Sequence, residues 1–128
     1  MIDINKEIVK ELQKTGLKIY NEYFVDSSTH IPCITYREHD NSSYKEGDII
    51  GYSQLSYHIK VWGKDLQTLI QYSKDIDSIM RDLGFKRISC NTLWLDGVGQ
   101  RDLKYTNLAL ENFNNGGILY VRNSRIYR

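Results

Sequence analysis

The side chains that could do chemistry here are three histidines, two cysteines and a scatter of carboxylates. His30, His39 and His58 have no second histidine or cysteine at ligand spacing. A metal centre needs three or four converging ligands, and none can be assembled. His58 lies on the polar face of a strand-like segment and is expected on a surface or interface. Cys33 with a histidine would make a nucleophile–base pair. It follows Pro32 at a strand start, however, without the helix end or cationic neighbours that lower a thiol pKa. Cys33 and Cys90 therefore read as free, buried thiols. Asp75 and Asp77 cannot share a helical face, because residues two apart diverge. With Lys74, Arg81 and Asp82 they are expected on the solvated side of a helix. Gly97-Val98-Gly99 and Gly116-Gly117 lack the Lys-Ser/Thr pair of a phosphate loop and read as turns. The sequence thus predicts no catalytic, cofactor-binding or metal-binding residue, and no enzyme.

These residues sit in a chain of 128 with 17 Lys plus Arg against 16 Asp plus Glu, a net charge of +1. General nucleic-acid or membrane-surface binders advertise a basic excess, which is missing here. The 10 tyrosines suit half-buried strands and protein interfaces, since the ring is apolar and the tip polar. Met1 to Glu7 is charged and amphipathic rather than leader-like, and no apolar run reaches membrane-spanning length. An intracellular domain is expected.

The elements that must position these groups follow from periodicity. Ile4, Ile8 and Leu12 make one apolar stripe on a helix from Asp3 to Thr15, capped by Asp3 and stopped by Gly16. Leu17 to Tyr23 reads as a strand, Asp26 to His30 as turn chemistry, and Cys33 to Glu38 as a second strand. His39 to Gly51 is polar and predicts an exposed loop or a projecting hairpin. Between Ser53 and Trp62, Leu55, Tyr57, Ile59 and Val61 alternate with Gln54, Ser56, His58, Lys60 and Trp62, a period of two. Leu66, Leu69, Ile70, Ser73, Ile76, Ile79, Met80 and Leu83 recur at helical spacing, opened by Asp65 and closed by Gly84. Phe85 to Leu95 and Leu103 to Phe113 predict a hairpin with a loop of several residues around Asp96 to Gly99.

The resulting fold class is α+β, an antiparallel sheet of about five strands in the order α-β-β-β-α-β-β. Both helices should cover one face, with Ile59 and Val61 against Leu69, Ile76 and Met80, because the other face of the third strand is polar. Residues 1–113 form this domain and 114–128 a tail. In the tail, Ile118, Leu119, Tyr120 and Val121 are apolar enough to add a strand to a sheet edge, either a neighbour's or the chain's own. Arg122, Arg125 and Arg128 follow. The polar loop, with Tyr44, Lys45, Glu46 and Asp48, is the second expected contact region.

Three blocks carry a family resemblance: Ile31-Pro32-Cys33-Ile34-Thr35-Tyr36-Arg37-Glu38, Ser56-Tyr57-His58-Ile59-Lys60-Val61-Trp62, and Ile79-Met80-Arg81-Asp82-Leu83-Gly84-Phe85-Lys86-Arg87. Together with Lys104 to Glu111 as the late strand, they resemble the tail terminator, or head–tail joining, proteins of long-tailed bacteriophages. The resemblance implies a six-fold homo-oligomeric ring that caps the tail tube and docks the head. Its implied partners are the tail tube protein and a head-completion or connector protein, with passive contact to DNA in the lumen and none to a membrane. It implies no cofactor, and a place in the virion after assembly in the host cytoplasm. The late strand lacks the family's basic-aromatic cluster, and the segment after Asn114 has no counterpart there. A different head–tail connector or minor capsid role is the alternative, as is a small intracellular nucleic-acid-binding module using Trp62 and the arginine tail.

Overall fold

The structure, a computed structural model, describes residues 3–24, 29–46, 50–111 and 118–120. Its first element is helix α1, Asn5–Leu12, continued by a 3-10 turn at Gln13–Thr15. The helix is shorter than the predicted span because Asp3 lies outside it. The Asp3 carboxylate accepts from the Asn5 backbone N–H at 3.0 Å and from the Asn5 amide at 2.8 Å. Gly16 ends the turn at φ 83°, a left-handed conformation that a side chain would oppose. Ile4, Ile8 and Leu12 are fully buried, as their spacing requires.

Strand β1, Lys18–Asn21, is cut short by a second 3-10 turn at Glu22–Phe24. That turn removes Tyr23 from the expected apolar face and leaves it 71% exposed. Strands β2, Cys33–Glu46, and β3, Ile50–Gly63, are each 14 residues long and pair antiparallel. The polar stretch after Glu38 is thus a hairpin arm rather than a loop.

Helix α2, Leu66–Asp82, starts at Asp65, whose side chain accepts from the Thr68 N–H at 3.1 Å. It ends in a Schellman motif: Phe85 N–H donates to the Met80 carbonyl and Gly84 N–H to that of Arg81, both at 2.9 Å. The wrap carries Phe85 into the core beside Met80. Strand β4, Lys86–Leu95, and strand β5, Val98–Glu111, then form a hairpin. Its loop is two residues, Asp96 at φ 52° and Gly97 at φ 77°. Positive φ at both positions is the turn whose twist matches paired strands. The expected longer loop is therefore wrong, and Gly99 lies inside β5. A Cβ on Gly99 would strike Trp94 Cζ3, so the indole takes up the space that a side chain would need.

The strand order is β1-β2-β3-β5-β4, with a short β6, Ile118–Tyr120, on β5. The fold is α+β, as expected, but the sheet is mixed, because β1 runs parallel to β2. Antiparallel pairing would need a reversal directly between the two strands, and here the chain between them returns to the same end instead. Ile59, Val61, Leu69, Ile76 and Met80 share one buried cluster with the α1 stripe, so both helices cover one face. Each such side chain contributes about 1.5–3 kcal/mol on burial. Tyr57 and Phe85 meet edge-to-face at 5.7 Å inside it.

Candidate interaction surface

The face of the sheet that the helices leave uncovered is built by alternation. Every second residue of β3 points to it, and register supplies the neighbours: Arg37 lies opposite His58, Thr35 opposite Lys60, Asp102 opposite Lys60 and Lys104 opposite His58. A bulge between Glu38 and Asp40 leaves His39 outside the ladder, and its ring stacks on His58 at 4.6 Å. The 3-10 turn after β1 brings Glu22 over this surface. Its carboxylate bridges Arg37 Nε at 2.7 Å and Lys60 Nζ at 2.6 Å. Arg37 also donates to His58 Nδ1 at 2.8 Å and to His39 Nδ1 at 3.3 Å.

A guanidinium has only donors, so both Nδ1 atoms must be acceptors and both imidazoles neutral there. For His58 the electrostatics agree. Burial pushes the His58 pKa down, and the Arg37 charge adds to it. Burial alone would raise the Glu22 carboxyl, but the Lys60 bond and the charges of Lys60 and Arg37 outweigh it and hold it below its ordinary range. Trp62 Nε1 donates to Thr35 Oγ1 at 3.0 Å, which ties the indole to β2. The surface is a cross-linked polar layer rather than a set of poised reactive groups. Burial also raises the Cys33 thiol pKa, away from a nucleophilic thiolate. Among the described residues no group of three His, Cys, Asp or Glu could hold a metal ion, and no helix is long and apolar enough to cross a membrane.

The expected contact residues that the structure describes fall at one end of the sheet. Tyr44, Lys45 and Glu46 lie in β2, opposite Tyr52, Gly51 and Ile50 of β3. Gly51 and Tyr52 pair with Glu111 and Leu110 of β5, which pair in turn with Ile118 and Leu119 of β6. Two segments some seventy residues apart in the chain are thus joined in shared rows across four strands. Tyr120 pairs with Ala109. The pairing is within the chain, because β5 outruns β4 past Thr106 and offers its own unpaired edge. Asp48, Val121, Arg122, Arg125 and Arg128 lie outside the described residues.

Two features were not foreseen. One is the Glu22–Arg37–Lys60–His58 cluster. The alternation of Arg37 with His39 and of His58 with Lys60 hinted at it, but only the register joins the two pairs. The other is the position of strand β4, which forms the far edge of the sheet. A bulge at Ile88 leaves that residue 63% exposed, and Leu93 and Leu95 are 59% and 67% exposed. A long edge strand carrying large exposed aliphatics is a surface for pairing with another chain. Asp77 was expected in solvent. Instead its carboxylate is only 16% exposed and accepts from the Tyr105 hydroxyl at 2.8 Å, with Arg81 and Arg87 beside it. In comparison with known proteins, the chain matches no family model and no curated protein.

Proposed function

We propose that this protein is a structural assembly subunit of the tail-terminator type, which associates with copies of itself in a ring, caps a phage tail tube and joins it to the head. The observation that supports this most is the distribution of finished and unfinished surface. Two helices close one face of the sheet, while β4 ends it in an edge bearing Ile88, Leu93 and Leu95. A subunit that hides this edge against a different surface of the next copy makes a heterologous contact, and heterologous contacts close into rings when the rotation permits. The end of the sheet where Tyr44 and Lys45 share rows with Leu119 and Ile118, with Glu46 one position beyond them, is a second, separate surface for the tail tube or the head protein.

The nucleic-acid reading has less support, because Arg37 and Lys60 are both held by Glu22 and Trp62 is bonded to Thr35. Both cations are already paired with a carboxylate, which weakens their pull on a phosphate. The test is the solution mass across a concentration series, with negative-stain images of the purified protein. Closed rings that dissociate in a Leu93→Glu, Leu95→Glu double variant are the expected result. A monomer at every concentration, with strongly salt-dependent binding to single-stranded DNA, would overturn the proposal in favour of the nucleic-acid module.

A further inference from the structure

On the helix side of the sheet, α2, β4 and β5 border an open cleft of about 370 Å³ lined by Lys74, Arg87, Arg101, Asp77, Ser73 and Ser78 among others. Three cations face one carboxylate there, a surplus of two positive charges. The carboxylate is already engaged. Asp77 Oδ2 accepts from Arg81 at 2.8 Å, while Oδ1 accepts from Tyr105 at 2.8 Å and lies 3.3 Å from Arg87.

Among the described residues Arg101 pairs with no carboxylate. It is half-buried, and its side-chain bonds go to two neutral hydroxyls: Nε to Ser73 Oγ at 3.2 Å and Nη1 to Thr92 Oγ1 at 2.9 Å. The Ser73 hydroxyl donates its own proton to the Leu69 carbonyl at 2.7 Å, so its oxygen is fixed as an acceptor for Arg101. The guanidinium is therefore oriented by its surroundings but not neutralised by them. It has five N–H donors and uses two on these hydroxyls, which leaves a fork of the kind that grips a planar or tetrahedral oxyanion. Withdrawing an uncompensated guanidinium from water is costly, and an anion in the cleft would offset that cost.

We propose that this cleft is a binding site for a phosphate group, with Arg101 as its main ligand, Lys74 and Arg87 supplying charge, and Ser78 a further donor. A cleft of this volume exceeds a bare phosphate, so a phosphate monoester also fits. The site is on the face opposite the Glu22–Arg37 cluster and does not depend on the ring.

The full chain is titrated with inorganic phosphate and, separately, glycerol phosphate, each against sodium chloride of equal ionic strength, with backbone amide shifts as the readout. Saturable shifts confined to Ser73–Ser78, Arg87–Thr92 and Arg101 are expected. Tighter binding of glycerol phosphate identifies an organic phosphate, and equal or weaker binding identifies the free ion. Arg101→Gln should weaken binding by about tenfold or more, and Lys104→Gln, on the opposite face, should leave it unchanged. Should Arg101→Gln fail to fold, Lys74→Gln, an exposed change, should still weaken it severalfold. Shifts that are linear and matched by chloride, equal affinity for acetate, or wild-type binding in these cleft variants would overturn the proposal.

Discussion

The two faces of β3 are built from neighbouring residues and obey different physics. On one face Leu55, Tyr57, Ile59 and Val61 are fully buried under two helices. On the other, Gln54, Ser56, His58, Lys60 and Trp62 are half-covered without any second layer, by each other and by Glu22, Arg37 and Thr35. The first face is held by area removed from water and tolerates no loss of volume. The second is held by partly solvated ion pairs and hydrogen bonds, each worth little by itself. A sheet can therefore be made stable from one side without a second layer on the other.

The sharpest way to break that contrast is to damage each face once. Ile76→Ala should cost about 2–5 kcal/mol in denaturant unfolding, because it opens a cavity under the sheet. Lys104→Ala on the open face should change stability by about 0.5 kcal/mol or less. Equal costs would mean that the open face is as tightly organised as the core. Gly99→Ala comes next, at about 1–3 kcal/mol, since its Cβ would strike Trp94 and would lie 2.7 Å from Leu69 Cδ1. In a Trp62→Phe background the displaced Trp94 should also change its fluorescence, and an unchanged spectrum would mean that the indole does not lie over the glycine.

A smaller effect tests the core from within. Asn107 is fully buried on the helix side, and neither its amide oxygen nor its nitrogen has a partner among the described residues. Asn107→Val should raise stability by about 1 kcal/mol by removing two unsatisfied polar atoms. A loss of stability would show that the amide is satisfied in solution.

The smallest effect belongs to the open face. The folded state lowers the His58 pKa below the ordinary imidazole value of 6.5, so the unfolded chain binds that proton first as pH falls. The stability linked to His58 is complete above 6.5 and is lost as pH drops from there through the depressed folded value. Glu22 adds a second loss with the same sign below 4.5. Melting temperatures down this series should decline in two stages, and His58→Gln should flatten the first. A single decline that His58→Gln leaves untouched would show that the imidazole is not coupled to folding.

Much of the fold was legible because buried faces repeat with the geometry of their elements. The stripe of Ile4, Ile8 and Leu12, the alternation in β3 and the Leu69–Ile76–Met80 face each report a local period, and each is buried as expected. Boundaries were less legible where short-range chemistry competes with pattern. Asp3 binds Asn5 ahead of the helix, and the turn at Glu22 interrupts an otherwise alternating strand. The Asp96-Gly97 turn was blurred by Gly99, whose role is to admit a tryptophan rather than to turn the chain.

The amino-acid order alone determined which residues face the core, where helices stop, and that one side of the sheet must stay polar. These depend on periods of two and 3.6 residues and on capping groups a few positions away. Tertiary structure decided the rest: the parallel placement of β1, the joining of Glu22 to Arg37 and Lys60, the pairing of Ile118–Tyr120 with β5, and the unneutralised Arg101 beneath α2. Each of these depends on strand register and order, which bring together side chains far apart in the chain and which no local period encodes.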